Sequence, residues 1–361
     1  MASSRVLFLG VEHDPCCVIE RGVIPAITEG EVLVKVRLAT VCGSDLHTLN
    51  GKRKVATPCV LGHEGVAEVV EDRRNSSAGR LSPGDRVTVA MAIFCGKCDT
   101  CKLGLVQKCD HRFIYSFADI KNGTGFNGFY ATHMVLRKGS HIVKIPDHVS
   151  DRMAAPVNCA LATMVNAVHA IEESKHNNIA VVQGAGLLGL YGTALLKECG
   201  YRKVYCTDIS EDRLKLVTHF GGIPYSANSG APPVLKANSV DVVIEVCGSS
   251  EVVPEGIRLL RPGGTYVFVG MVHPMSKLSD VTGWDIIGKC LSIKGVHNYG
   301  PKHLDEAVDF VAKTAGKYPY EILVSPDVYS LENFLAAVEM SKQRKYARVA
   351  VSAQQHSRSS L

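Results

Sequence analysis

Ile179-Ala180-Val181-Val182-Gln183-Gly184-Ala185-Gly186-Leu187-Leu188-Gly189 decides the fold. A short apolar run breaks at glycines and continues as a helical stretch to Cys199, which reads as strand, tight turn and helix. Lys203 to Asp208 repeats the strand, and a helix is expected from about Glu211 to Phe220. Val240 to Glu245 and Gly264 to Val269 read as two further buried strands. Strands and helices alternating in this way make an α/β, doubly wound parallel sheet. The spacing Gly184-x-Gly186-x-x-Gly189 has little weight alone. Between a strand and a helix it lets backbone approach a pyrophosphate seated on the helix N-terminus. Asp208, ending the next strand, can bond both ribose hydroxyls and would repel a 2′-phosphate, which favours NAD over NADP. Arg213, five residues on, is the alternative partner that would accept such a phosphate.

Upstream the texture is different. Glu31 to Arg37 alternates at period two, as does part of Gly65 to Val70, and Ser82-Pro83-Gly84-Asp85 is a turn before the strand Arg86 to Val89. This is a β-rich domain with irregular loops. After about Pro301 come a helix, a strand, a helix near Leu331 to Ser341 and a closing strand, Ala347 to Val351, expected to rejoin the first domain. The expected division is 1–158 with 298–361 as one domain and 159–297 as the other.

Most metal-type residues fall in the β-rich part. Cys95, Cys98, Cys101 and Cys109 form a C-x2-C-x2-C-x7-C array. That spacing lets one short lobe wrap four thiolates around a single zinc, and a closed four-thiolate site holds structure without doing chemistry. The alternative is a reduced cluster without metal. Cys42 and His63 supply a second, open candidate from two separate loops, with Cys159 completing two thiolates and an imidazole and water in the fourth position. Glu64 is the alternative to Cys159 in a shifted coordination state. A metal there would lower the pKa of an alcohol so that hydride can leave. Ser44 can accept the alcohol proton and His47 can pass it to solvent, while Asp45 can orient His63. The bland readings are a buried thiol, a satisfied core histidine and local turn hydrogen bonds.

Composition bounds the rest. The chain has 361 residues, 46% hydrophobic and 21% charged, ordinary for a globular protein with two domains. A net charge of +5 with no dense basic stripe argues against nucleic acid. The most apolar stretch, Ile179 to Leu196, carries four glycines and is not a membrane span. Thirteen cysteines without a basic, apolar leader favour metal ligation in a reducing compartment, so the expected location is cytoplasmic. The tail from Ser352 is expected to fray.

Together these residues resemble the zinc-containing medium-chain dehydrogenase/reductase superfamily over nearly the whole chain. The resemblance implies a GroES-like catalytic domain interrupted by a Rossmann domain, two zinc ions per chain, and a homodimer or homotetramer. It implies catalytic zinc at Cys42, His63 and Cys159, with Glu64 nearby, and structural zinc at Cys95, Cys98, Cys101 and Cys109. It implies a proton relay through Ser44 and His47, with Thr163 at the nicotinamide and Arg348 at the cofactor pyrophosphate. Cys42-Gly43-Ser44-Asp45-Leu46-His47 resembles the polyol and threonine dehydrogenase branches, although the polyol branch usually has glutamate in place of Cys159. Gln107-Lys108-Cys109, Phe113-Ile114-Tyr115 and Ala155-Pro156-Val157-Asn158-Cys159-Ala160 look most like the phosphonate-catabolism-associated alcohol dehydrogenases. A departure is Phe126-Asn127-Gly128-Phe129-Tyr130, where relatives usually read Gly-Gly-Phe-Ala-Glu.

The implied activity is NAD-dependent oxidation of a small-molecule alcohol, or the reverse reduction of a carbonyl. Lys52, Arg53 and Lys54 follow His47 closely and would suit an anionic alcohol; the alternative is a solvated loop. Met91 either lines the pocket or packs in the core. A polyol- or threonine-dehydrogenase-like enzyme is one rival reading. A catalytically silent homologue is another, although such chains usually have damaged zinc sites.

Overall fold

The computed structural model describes all residues except 1, 76–80, 172–177, 229–234, 274–275, 279 and 354–361, so most of the expected frayed tail lies outside the described residues. Two compact units emerge. One joins residues 1–159 to 300–361, and the other is residues 160–299.

In the second unit six strands pair in parallel. Their spatial order is Ile223–Ser226, Lys203–Asp208, Ile179–Gln183, Val240–Glu245, Leu260–Phe268, Ser292–Gly295. With the first strand third from one edge, this is the doubly wound nucleotide-binding order. Val240–Glu245 is buried at every position. That follows from helices covering both faces, and it is why this strand reads as a continuous apolar run and not as an alternation. The helix Leu187–Glu198 starts directly after the glycine turn.

The first unit is built on a seven-stranded sheet around Val32–Val41. Period-two alternation predicts one wet face, and here the structure differs. Val32, Val34 and Val36 face the main core, while Leu33 packs with Ile24, Ile27, Phe126 and Val135 on the other side. Only Lys35 stays exposed along the strand. The loop residues Ile24, Ile27 and Phe126, beside Val135 of a neighbouring strand, supply the second cover, which strand patterning alone does not reveal.

Pairing around this strand brings distant segments to one end of it. Ala39 faces Gly65 on one neighbour, and Val41 faces Val349 on the other. Thr40 N donates to Glu64 O at 3.3 Å, one residue further along. The residues just beyond these pairs are Cys42, Glu64 with His63, and Arg348. A short hairpin, Ala92–Ile93 with Phe113–Ile114, brackets the lobe that carries Cys95 to Cys109.

Candidate active site

The helix Gly43–Leu49 begins after Cys42, and its first turn organises the centre. Asp45 Oδ2 accepts from Cys42 N at 3.0 Å and from the Tyr130 hydroxyl at 2.8 Å. Its other oxygen faces His63 Nδ1 at 3.4 Å, with both residues buried. That leaves His63 Nε2 turned to the opposite side, 3.1 Å from Ser44 Oγ. The ligand-capable atoms of Cys42, His63, Glu64 and Cys159 all lie within 4.8 Å of one another. His47 sits one turn after Ser44, exposed to solvent.

Cys159 lies in a π-helical turn, Val157–Leu161, just ahead of the helix Ala162–His169. Such a wide turn commonly marks a functional position. Its neighbour Asn158 is fully buried and fastens the turn. Asn158 Nδ2 donates to His63 O at 2.9 Å and to Val89 O at 2.8 Å, while Oδ1 accepts from Gly65 N at 3.4 Å. Truncating this side chain strands three buried backbone groups, each costing about 1–3 kcal/mol. Asn158→Ala should therefore lower unfolding stability by about 3 kcal/mol, read as a lower urea midpoint at unchanged m-value. An unshifted midpoint would contradict the clamp.

Charge in this pocket is strongly redistributed. Arg348 donates through Nε and Nη2 to the two oxygens of Glu64, at 2.6 and 2.7 Å, and Thr40 Oγ1 adds a third bond at 2.7 Å. Burial pushes the Glu64 carboxyl up to about 7, against the pull of Arg348. The contact with Cys159, then Arg348 and His63, holds the Cys42 thiol well below its ordinary range despite burial. Cys159 moves up correspondingly, through its contact with Cys42 and through burial. Burial opposes a charged His63, yet Asp45 and Cys42 outweigh it and raise its pKa. The net effect is one sulfur biased towards thiolate, one imidazole beside a carboxylate, and one sulfur biased towards the thiol, whose proton a divalent ion would displace.

The second cluster tests the fit of zinc more sharply. A tetrahedron with metal–sulfur bonds of about 2.3 Å spaces its sulfurs about 3.8 Å apart. Cys98 and Cys109 Sγ are 3.8 Å apart, and Cys109 and Cys95 Sγ are 3.6 Å apart. Backbone N–H groups of Cys95, Cys98 and His111 each point at a sulfur at 3.3 Å. Backbone bonds from Lys97 and Cys98 draw the Cys95 thiol down to about 6, whereas burial pushes Cys101 up to about 12. The donor set and spacing suit a closed four-thiolate zinc.

In the second unit the three glycines do separate jobs. Gly184 has φ +115°, a conformation that favours glycine. Gly186 opens onto free space, so a phosphate could approach its backbone. At Gly189 a Cβ would lie 1.7 Å from Gly184 O, so only glycine lets the helix pack there. Leu187 and Leu188 form the first helical turn, Leu187 buried and Leu188 half-buried. Asp208 Oδ2 accepts from Ala185 N at 2.8 Å and has Arg213 Nη1 at 3.5 Å. Thr163 is buried in the helix Ala162–His169. Arg348 donates from Nε and Nη2 to Glu64, and strand register sets it level with Cys42 in the first unit.

Sequence reasoning missed Tyr130 and Asn158. Tyr130 lies in the stretch that departs from the expected pattern, and Gly62, at φ +91°, lets it close in: a Cβ there would meet Tyr130 N at 2.8 Å. A tyrosine in an otherwise apolar segment, with its hydroxyl needing a buried partner, was the available signal.

Comparison with known proteins agrees with this geometry. Residues 28–147 match the alcohol dehydrogenase GroES-like domain, and residues 188–313 match the zinc-binding dehydrogenase family. D-arabitol-phosphate dehydrogenase of Enterococcus avium is 31% identical over 81% of this chain and 82% of its own length. An L-threonine 3-dehydrogenase of Coxiella burnetii is 30% identical over 74% and 76%. An alcohol dehydrogenase structure from Thermotoga maritima superposes with a TM-score of 0.90 at 26% identity, covering 98% of this chain and 99% of that one. A zinc-binding dehydrogenase from Sinorhizobium meliloti bound to NADP gives 0.83 at 25% identity, covering 98% and 99%. The chain belongs to the zinc-type medium-chain dehydrogenase family of alcohol, polyol and threonine dehydrogenases, with a GroES-like and a Rossmann domain. It is an oxidoreductase acting on CH–OH groups. These relatives support the superfamily and do not single out its phosphonate-associated group. Among the described residues no helix is long and apolar enough to cross a membrane.

Proposed function

We propose that this chain is a NAD-dependent alcohol dehydrogenase whose catalytic zinc is held by Cys42, His63 and Cys159. The observation that carries the reading is the convergence of two sulfurs and an imidazole within 4.8 Å of one another, with the Asp45 carboxylate 3.4 Å from His63 Nδ1. Zinc, when bound, polarises the alcohol oxygen and lowers its pKa, and NAD accepts the hydride. Ser44 Oγ takes the alcohol proton, and His47 passes it to water. Arg348, paired with Glu64, also brings Nη2 to 3.4 Å from Cys42 Sγ and offsets charge on that sulfur. Cys95, Cys98, Cys101 and Cys109 hold a second, structural zinc. NADH formation from a panel of alcohols at mildly alkaline pH tests this. No reduction of NAD or NADP by any alcohol, in a chain carrying its metal, would sink it.

NAD is favoured because Asp208 brings negative charge to where a 2′-phosphate would sit. Asp208→Asn keeps the acceptor for Ala185 N and removes that charge. The ratio of kcat/KM for NADP to that for NAD should rise about tenfold or more. If the ratio stays put, Arg213 or another group sets the choice.

A homo-oligomer is the proposed assembly. Among the described residues the edge strand Ser292–Gly295 pairs on one side only in its sheet, and the preceding helix exposes Trp284 and Ile287, 76% and 71% accessible. An open strand edge beside apolar side chains is a surface that a second copy would cover.

A further inference from the structure

The basic run after His47 does not behave as one solvated loop. Lys52 and Lys54 are exposed, but Arg53 is half-buried. Its guanidinium lies over the Phe117 ring, 5.2 Å from the centroid. Phe117 in turn sits 5.9 Å from the His63 ring, inclined by 51°. Backbone bonds from Lys52 N and Arg53 N to His47 O, at 2.9 and 3.1 Å, fix the start of this loop to the last turn of the helix Gly43–Leu49. Among the described residues no carboxylate forms an ion pair with Arg53.

A ring beneath the guanidinium occupies one face of it and leaves the N–H edges free. Those edges suit two oxygens of one anion, because the planar fork matches carboxylate, phosphate and phosphonate geometry. Partial desolvation strengthens such a pairing, and the ring contact limits the entropy lost on binding. Lys52 and Lys54, flexible and solvated, lack both advantages.

We infer that Arg53 is a substrate-specificity residue that receives the oxyanion of a short anionic alcohol, the hydroxyl of which is presented at Cys42, His63 and Cys159. This deepens the dehydrogenase reading and rests on it for the identity of the second subsite. The substrate class is a small hydroxy acid, or a phosphate or phosphonate ester-sized alcohol, with its acidic group a few bonds from the carbinol carbon. The relative named for an alcohol phosphate, D-arabitol-phosphate dehydrogenase, is compatible with this class.

Two measurements test it on the metal-loaded chain. In the first, kcat/KM is compared for 2-hydroxyethylphosphonate and 1-propanol in wild type, Arg53→Met, Lys52→Met and Lys54→Met. Arg53→Met should lower the anionic-to-neutral ratio by about 10- to 100-fold, as expected for losing a charged hydrogen-bonded pair. The two lysine variants should shift it less than about threefold, as solvated charges do. In the second, titration calorimetry follows ethylphosphonate, which has no hydroxyl to oxidise. Its affinity should fall by a similar factor in Arg53→Met and partly recover in Arg53→Lys.

Equal ethylphosphonate affinity in wild type and Arg53→Met, or a wild-type preference for 1-propanol, would overturn the inference. The calorimetric arm decides it even if no alcohol is oxidised, an outcome that would instead count against the dehydrogenase reading.

Discussion

Cys42→Ser and His63→Ala chains are expected to turn over alcohols at least about 10³-fold more slowly than wild type, a loss of about 4 kcal/mol in transition-state stabilisation. Neither change should unfold the protein, since the seven-stranded sheet reaches the site only by its end. Metal content should fall from two ions per chain to one, because the four-cysteine lobe is independent of both residues. The two variants carry different information. His63→Ala also frees Asp45 from its ring partner, leaving a buried carboxylate that still accepts from Cys42 N and Tyr130. Cys42→Ser removes the sulfur that lies 3.4 Å from Arg348 Nη2. A Cys42→Ser chain that keeps two metals and full turnover would mean that chemistry happens elsewhere.

The structural cluster should fail in the opposite manner. Cys101→Ser removes one thiolate from a closed set whose spacing already matches a tetrahedral ion. Structural zinc sites of this kind contribute folding free energy directly, about 10–16 kcal/mol in isolated zinc-finger peptides. Even a small part of that, about 4 kcal/mol, lowers the melting temperature of a domain this size by about 8–16 °C. The prediction is a large thermal shift, one metal per chain, and substantial turnover in the fraction that remains folded. Acid should mimic it. A zinc ion bound there would have to replace the proton on Cys101, whose pKa burial pushes up to about 12, so its affinity should fall as pH falls. A melting temperature unchanged in Cys101→Ser would show that the lobe folds without its ion.

Much of this architecture can be read from residue order because its elements are local. The strand, glycine turn and helix around Gly184 need only neighbours in sequence, and observed strands Lys203–Asp208 and Val240–Glu245 have the limits that periodicity suggests. The four cysteines are likewise one short lobe. What could not be read depends on contacts across the chain. The two-sided burial of Val32–Val41 needs Phe126 and Val135 from far downstream. The role of Arg348 needs the register between the closing strand and Val41. Arg53 and its lysine neighbours are alike as letters, and only Phe117 separates them.

The Glu64–Arg348 pair spans 284 residues. On a ribosome adding about 5–20 residues per second, the carboxylate waits roughly 15–60 s for its cation. In that interval Cys42 and His63 exist without the arginine that later stands beside them, and burying Glu64 early would leave an uncompensated charge. Assembly of the centre is thus tied to the arrival of a late strand. The four-cysteine lobe is complete by residue 109, whereas the surroundings of Cys42 and His63 wait for a strand made more than two hundred residues later.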